Sequence, residues 1–169
     1  LIPWVIDLES NRLLGHISRA NSQWKTPWLG DALVIVDGIN GYVRPNWYET
    51  KKETGKVVPT WDYVAVQVMG ELIIHDDRDW TLEAVKQLTD RHESARAQSW
   101  KVEDAPDSYI DAQLNAIVGL EFKISRIEAS VKMSQNKSEA DTAGVIAGLA
   151  AEGNVELSEY VRKVSKHNL

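Results

Sequence analysis

The chain has 169 residues, a formal net charge of −6 and no cysteine. This length predicts one domain with a hydrophobic core, and the lack of cysteine excludes disulfides and thiolate chemistry. The acidic balance disfavours non-specific nucleic-acid binding, which depends on Lys and Arg. No apolar run reaches the roughly 20 residues that cross a bilayer, and the first residues lack a signal-peptide pattern. We therefore expect a cytoplasmic protein.

The first part of the sequence has the pattern of antiparallel β structure. Two apolar stretches joined by a polar turn predict a hairpin. A continuous β-branched run then predicts a buried strand, and Gly38 and Gly41 are typical of a turn before another short strand. Residues 46–56 are polar and predict a loop. The four predicted strands span residues 1–8, 13–19, 31–37 and 41–44.

The longest alternating pattern follows at residues 64–75 and predicts a further strand, in which Gly70 indicates a bulge or bend. Asp77 or Asp79 then caps a predicted helix, because apolar side chains recur behind it at helical spacing. The side chains on that predicted face are Leu82, Val85, Leu88 and His92.

The second half predicts a helix from the cap at Asp104 to Gly119, and then a long strand over 120–135 with one bulge. Two C-terminal helices are predicted, one from a capping box at Ser138 to about Gly153 and one over 156–166. About six strands with these helices predict an α+β fold, in which the long bent strands form a small antiparallel barrel.

The stretch 13–24 carries the clearest candidate for an anion site. It begins as a strand and ends as a turn or short helix, and it places His16, Ser18, Arg19 and Asn21 within a few residues. Unpaired N–H groups at a helix start and the planar fork of Arg suit phosphate oxygens. An ordinary strand end with a solvated Arg and an Asn cap explains the same residues.

Five ordered motifs between residue 1 and about residue 149 resemble those of one known family. They are GHISRANSQW at 15–24, PNWY at 45–48, VVPTWDYVAV at 57–66, LTDRHE at 88–93 and KMSQNK at 132–137. Together they resemble the PaiB-type proteins of the FMN-binding split-barrel superfamily.

The resemblance implies a split antiparallel β-barrel with peripheral and C-terminal helices, and a homodimer that binds FMN near its interface. Family members are negative transcriptional regulators, and weak flavin-dependent redox activity is a further expectation. We expect the split-barrel domain at 1–153 and a C-terminal helix at 154–169. The family has about one further hairpin, which would lie before Leu1.

The resemblance also implies which residues contact FMN. His16, Ser18, Arg19 and Asn21 become the predicted phosphate site. Thr60 and Trp61 are predicted to lie against the isoalloxazine ring. The last predicted set would hold phosphate, ribityl hydroxyls or the pyrimidine edge of the ring. A strand end before a capped helix explains the same residues equally well. That set is Lys132, Ser134, Gln135 and Asn136.

Two positions depart from the family pattern, since Ser18 stands where Ala is usual and Asp62 where Asn is usual. Asp62 would add a negative charge near a flavin. Of the tryptophans outside the predicted ring contact, three are interpreted mainly as structural, namely Trp24, Trp28 and Trp47.

Two other functions stay open. The first is a transcriptional repressor that acts through a partner or binds DNA directly, with Lys51, Lys52 and Lys56 paired across a dimer as a basic strip. The second is a haem-handling protein with His16 or His75 as axial ligand. We expect no metal site, and no residue pattern designates a general acid or base, so any redox chemistry would belong to the flavin.

Overall fold

A computed structural model of the chain describes residues 1–27 and 30–166, and within them it contains five strands and five α-helices. The strands are β1 Val5–Asp7, β2 Arg12–Ser18, β3 Ala32–Val43, β4 Thr60–His75 and β5 Ile117–Lys132. The helices are α1 Thr50–Thr54, α2 Arg78–Glu93, α3 Asp107–Leu114, α4 Glu139–Ala151 and α5 Val155–Val164.

The strands form one antiparallel sheet in the order β1-β2-β5-β4-β3, and this sheet is not closed. β1 and β2 are the predicted hairpin, with Val5 opposite Leu14. On its other side β2 pairs with β5, so that Leu14 lies opposite Glu121. The predicted α+β class is confirmed, and β1 and β3 are the two edge strands.

The chain divides into two compact units, which we call the first and the second unit. The first comprises Leu1–Val34 and Val68–Arg126, and the second comprises Ile35–Gln67 and Ile127–Leu169. In the first unit, apolar side chains of β2 and β5 are buried, among them Leu14, Val118 and Phe122.

The second unit has its core between α4, α5 and the end of β3. Val43, Tyr48, Met133, Val145 and Leu157 are among its buried residues. Gly144 and Gly148 leave one face of α4 without side chains. A Cβ on Gly144 would overlap the carbonyl oxygen of Trp47, and a Cβ on Gly148 would overlap the Trp47 indole ring. The missing side chains therefore let α4 lie directly against Trp47.

The predicted turn at Gly38 and Gly41 is wrong, because both glycines lie inside the continuous strand β3. A Cβ on Gly38 would come within 2.9 Å of the Val64 carbonyl oxygen, and one on Gly41 within 2.6 Å of the Leu157 side chain. Both glycines thus permit close approach and do not mark a turn. The predicted buried strand also lies at the sheet edge, where Ile35 is 63% exposed.

Three further predictions are corrected. The predicted loop at 46–56 contains the short helix α1. The predicted helix ending at Gly119 stops at Leu114, and β5 already begins at Ile117. Gly119 packs against the Trp80 ring, which explains the glycine without a helix end. Five strands are present in the described residues where about six were predicted, and β1 occupies only part of 1–8.

The predicted helices α2, α4 and α5 are confirmed within a few residues. Asp77 is the N-cap of α2 and Ser138 that of α4, and each side chain accepts a backbone N–H of the first turn. The residues that α2 buries are Thr81 and Ala84, which were not on the predicted face. None of the described helices is long and apolar enough to span a bilayer.

Candidate functional site

A cleft of about 600 Å³ opens in the first unit at the end of β2. Its polar lining comes entirely from the stretch that the sequence singled out, namely His16, Ser18, Asn21 and Gln23. Its apolar lining comes from three segments and consists of Leu1, Ile2, Pro3, Ile17, Ala116 and Ile117. None of these ten side chains carries a permanent charge. Ligand sites typically measure about 300–1,000 Å³ and combine apolar walls with a few polar groups, which this cleft matches.

His16 is the one titratable side chain that lines the cleft. Burial lowers the pKa of its imidazole, because desolvation disfavours the charged form. The ring is therefore neutral at physiological pH, and it offers one N–H donor and one acceptor nitrogen. A neutral imidazole suits a polar but uncharged ligand group better than a dianion.

Arg19 does not line the cleft, and its guanidinium is bonded to protein groups. Nη2 lies 2.6 Å from Asp76 Oδ1 and 3.0 Å from the carbonyl oxygen of Ile117, and Nε donates to the carbonyl oxygen of Asn115 at 2.9 Å. These bonds connect the end of β2 to the start of β5. The predicted phosphate contact would require Arg19 to share or leave Asp76.

Asn21 and Ser18 take part in the turn that follows β2. Asn21 caps the 3₁₀ turn Ser22–Lys25 by accepting the Gln23 N–H at 2.9 Å, as the alternative reading of this stretch expected. Ser18 Oγ accepts the Ala20 N–H at 3.3 Å. Trp24 donates its indole N–H to the Arg19 carbonyl at 3.0 Å, so it has the structural role predicted for it. The turn is thus held by its own side chains and presents Gln23 to the cleft.

The second unit contains the other predicted contacts. Lys132 Nζ donates to the Thr60 hydroxyl, which joins the end of β5 to the start of β4. Gln135 accepts the Met133 N–H at 2.6 Å and donates to the Val131 carbonyl at 2.8 Å, so both ends of its amide close the turn at residues 132–136. Asn136 is exposed in this 132–136 turn.

Trp61 and Thr60 point to opposite faces, because neighbouring residues on a strand alternate. Trp61 is 50% exposed, and its indole N–H donates to Asn40 Oδ1 at 3.1 Å. Its ring lies 6.1 Å from that of Tyr42. Asn40 and Tyr42 therefore hold the Trp61 ring in an exposed position, and neither was among the residues predicted to contact FMN. Period-two spacing on β3 was the signal for this pair.

Of the two candidate haem ligands, His75 is engaged within the protein. Its Nε2 lies 2.8 Å from Glu121 Oε2, and its ring stacks on Trp80 at 3.9 Å. The other Glu121 oxygen accepts from Arg12 at 3.1 Å. Burial would raise the pKa of Glu121, but the hydrogen bonds from His75 and Arg12 outweigh it and lower that pKa. This network explains His75 as a structural residue.

The sequence profile of the family described as "Putative FMN-binding domain" matches residues 1–126. The chain belongs to this family. The matched region includes the cleft of the first unit as well as Thr60 and Trp61, and it ends before the 132–136 turn. Trp28, interpreted above as structural, lies outside the described residues.

Two curated relatives support this FMN-binding family assignment. The chain is 32% identical to an uncharacterized protein of Emericella nidulans over 87% of this chain and 72% of that protein. It is 30% identical to the protease synthase and sporulation protein PAI 2 of Bacillus subtilis, over 84% of this chain and 66% of that protein. The PaiB-type resemblance stated from the motifs is thereby confirmed.

Among solved structures, the flavocytochrome Anf3 of Azotobacter vinelandii is similar in fold. The TM-score is 0.54 at 14% sequence identity, and the match covers 84% of this chain and 59% of that chain. At this identity the likeness concerns the fold alone, and it agrees with the split-barrel class.

Proposed function

We propose that this protein is a PaiB-like FMN-binding protein and that the cleft of the first unit receives the uncharged part of FMN. The observation that carries the proposal is the cleft lining. All four polar side chains come from residues 16–23, inside the region that matches the FMN-binding family. Amide, hydroxyl and neutral imidazole groups suit the pyrimidine edge of the isoalloxazine ring and the ribityl hydroxyls.

The phosphate of FMN is the less suitable part for this cleft. A dianion is bound best by charge-assisted donors, and none of the lining side chains has a permanent charge. Arg19 stands beside the cleft but is bonded to Asp76 and two carbonyl oxygens. Arg19 therefore acts by holding the ends of β2 and β5 in place.

Riboflavin separates these roles, because it has the ring and ribityl chain of FMN without the phosphate. Flavin fluorescence is titrated with protein for both ligands, and we expect saturable quenching by both with similar affinity. His16→Ala and Gln23→Ala each remove a hydrogen bond that contributes about 0.5–1.5 kcal/mol, which lowers the affinity for both flavins by about 2- to 12-fold. Lys86→Ala, at an ion pair with the exposed Glu103, is the matched control.

Three outcomes of these flavin titrations have different meanings. If the fluorescence of neither flavin is quenched saturably, the protein does not bind FMN. If Arg19→Gln weakens FMN and leaves riboflavin unchanged, Arg19 contacts the phosphate, as the sequence predicted. Equal losses for both flavins support a role of Arg19 in holding the strand ends.

We further infer that two copies associate through the apolar surface of the second unit. Tyr42 and Trp61, whose rings lie 6.1 Å apart, are 46% and 50% exposed there. Large exposed apolar patches and long edge strands usually mark interaction sites. Light scattering after gel filtration is expected to give a dimer, and Tyr42→Lys is expected to give a monomer. A wild-type monomer at micromolar concentration would refute this inference.

A role in transcription is best supported as an indirect one. Lys51 donates to Asn46, and Lys52 forms an ion pair with Glu49 at 2.7 Å, so two of the three lysines of the predicted basic strip are locally engaged. The chain is also acidic overall. In a gel-shift assay at low salt we expect no sequence-specific complex with DNA, and a specific complex that competitor DNA does not displace would overturn this view.

A further inference from the structure

Asp62 on β4 is fully buried, with 0% of its surface exposed. Its Oδ2 accepts the Ser134 hydroxyl at 2.7 Å. Its Oδ1 has no hydrogen-bond partner among the described residues. The hydroxyl of Tyr48, a residue that is only 1% exposed, likewise has none there. Two polar oxygens are thus buried without partners in the same unit.

An ionised carboxylate with one unpaired oxygen is unfavourable in such a place, because burial disfavours charge and each buried acceptor needs a donor. Burial raises the pKa of Asp62, and the Ser134 hydrogen bonds together with the charges of Lys132 and Lys137 only partly oppose it. Burial is the largest cause that raises the pKa of Tyr48, so the phenol keeps its proton.

The charged groups near Asp62 and Tyr48 have other partners, and Asp62 forms no ion pair with the described residues. Lys132 donates to Thr60, and the Lys137 ammonium lies 4.7 Å from the centre of the Tyr48 ring. Asp141 on α4, whose charge also acts on Tyr48, accepts both the N–H and the hydroxyl of Thr50, at 2.9 and 2.8 Å.

We propose that Asp62 is held as an un-ionised carboxylic acid and that it positions the 132–136 turn through Ser134. A proton on Oδ1 removes the charge that burial makes unfavourable. Oδ2 remains free to accept from Ser134. The proposal is independent of which ligand the turn contacts.

Ser134 shows why the turn needs such support. Its φ of +56° lies in the left-handed region, which side chains other than glycine rarely adopt. The bond to Asp62 fixes this residue, and the Ser134 carbonyl then accepts the Lys137 N–H at 3.0 Å to close the turn. Asp62 is therefore a positioning residue for the side chains of Lys132 and Gln135.

A raised folded pKa gives a definite sign for the effect of pH on stability. The contribution of Asp62 is fully present below its unfolded pKa of about 3.9 and is lost as the pH rises through the folded pKa. Within that window the unfolding equilibrium constant rises by up to about tenfold per pH unit. Asn at this position cannot ionise, so Asp62→Asn removes this rise.

Denaturant unfolding of the full chain between pH 4 and 9 tests the proposal. We expect Asp62→Asn to match the wild type near pH 4 and to be at least tenfold more stable, as an equilibrium constant, at pH 8. Ser134→Gly suits the positive φ, removes the hydroxyl that favours the charged form, and shifts the midpoint of the pH profile to higher pH.

Two further measurements test the protonation of Asp62 and its effect on the turn. Difference infrared spectra at pH 7 should show the carbonyl band of a protonated carboxylic acid that Asp62→Asn lacks. Hydrogen exchange at the Lys137 amide should accelerate at least tenfold in Asp62→Ala and return toward the wild-type rate in Asp62→Asn. Glu152→Gln, at an exposed pair with Arg44, should retain the wild-type behaviour in both.

An ionised Asp62 would give the opposite pattern. Asp62→Asn would then be less stable than the wild type at pH 8, because it loses the attraction to Lys132 and Lys137, and the infrared band would be missing. Either result overturns the proposal. An unchanged exchange rate at Lys137 in Asp62→Ala would overturn the positioning role.

Discussion

Replacing Glu121 by Gln tests whether the network of the first unit stabilises the fold. Glu121 is 8% exposed and accepts from Arg12 at 3.1 Å and from His75 at 2.8 Å. The amide of Gln keeps one acceptor oxygen and turns the other position into a donor, so one hydrogen bond to a charged group is lost. Such a bond contributes about 1.5–3 kcal/mol. For a chain of this size, that corresponds to a fall in Tm of about 3–12 °C.

The pH dependence of this effect has a fixed sign. Because the folded pKa of Glu121 is lowered, its contribution is present above the unfolded pKa of about 4.3 and is lost as the pH falls through the folded pKa. Calorimetry from pH 7 to pH 3 should therefore show the two Tm values converging in acid. Glu103→Gln, an exposed acid paired with Lys86, should change little at any pH. Equal Tm values at pH 7, or a difference that persists unchanged at pH 3, would refute the reasoning.

Two predictions concern helix docking and capping. Gly144→Ala gains up to about 1 kcal/mol of helix propensity, but the overlap of its Cβ with the Trp47 carbonyl costs about 1–3 kcal/mol or more. Urea unfolding should therefore show a net loss of stability. A gain would show that α4 does not lie against Trp47. Ala147→Gly, on the exposed face of α4, is the reference and should lose about 1 kcal/mol from propensity alone. Asp77→Ala removes the cap that accepts the Trp80 N–H at 2.8 Å and should lower the free energy of unfolding by about 1 kcal/mol. Thermal unfolding followed by circular dichroism measures this loss, and Asp77→Asn should lose much less. Equal losses in the two variants would rule out the cap.

The helices with caps were predictable from the sequence, and the roles of most glycines were not. Asp77 and Ser138 predict the starts of α2 and α4, because a capping side chain accepts a backbone N–H only three residues away. Gly38, Gly41 and Gly119 look like turn or helix-end signals, yet each is required by a partner far along the chain. Local patterns do not contain such long-range approaches.

The candidate site was predictable in position more than in detail. The stretch 13–24 led to the cleft because its residues are contiguous, and a strand end collects them in one place. The engagement of Arg19 by Asp76 was not visible, since these residues lie on different strand ends. Asp62 was noted for the charge that it would add near a flavin. Its complete burial, which disfavours the ionised form, depends on tertiary packing.

The pairing of β2 with β5 has a consequence for how the chain folds during synthesis. Arg12 lies opposite Lys123, so most of the chain must leave the ribosome before the second edge of the hairpin is covered. Contacts between such distant segments raise the contact order, which slows folding because a long loop must close first. Until then the apolar residues of β2 are available to chaperones or to other nascent chains. Expression at lower temperature, or with added chaperones, should therefore raise the recovered yield of native protein.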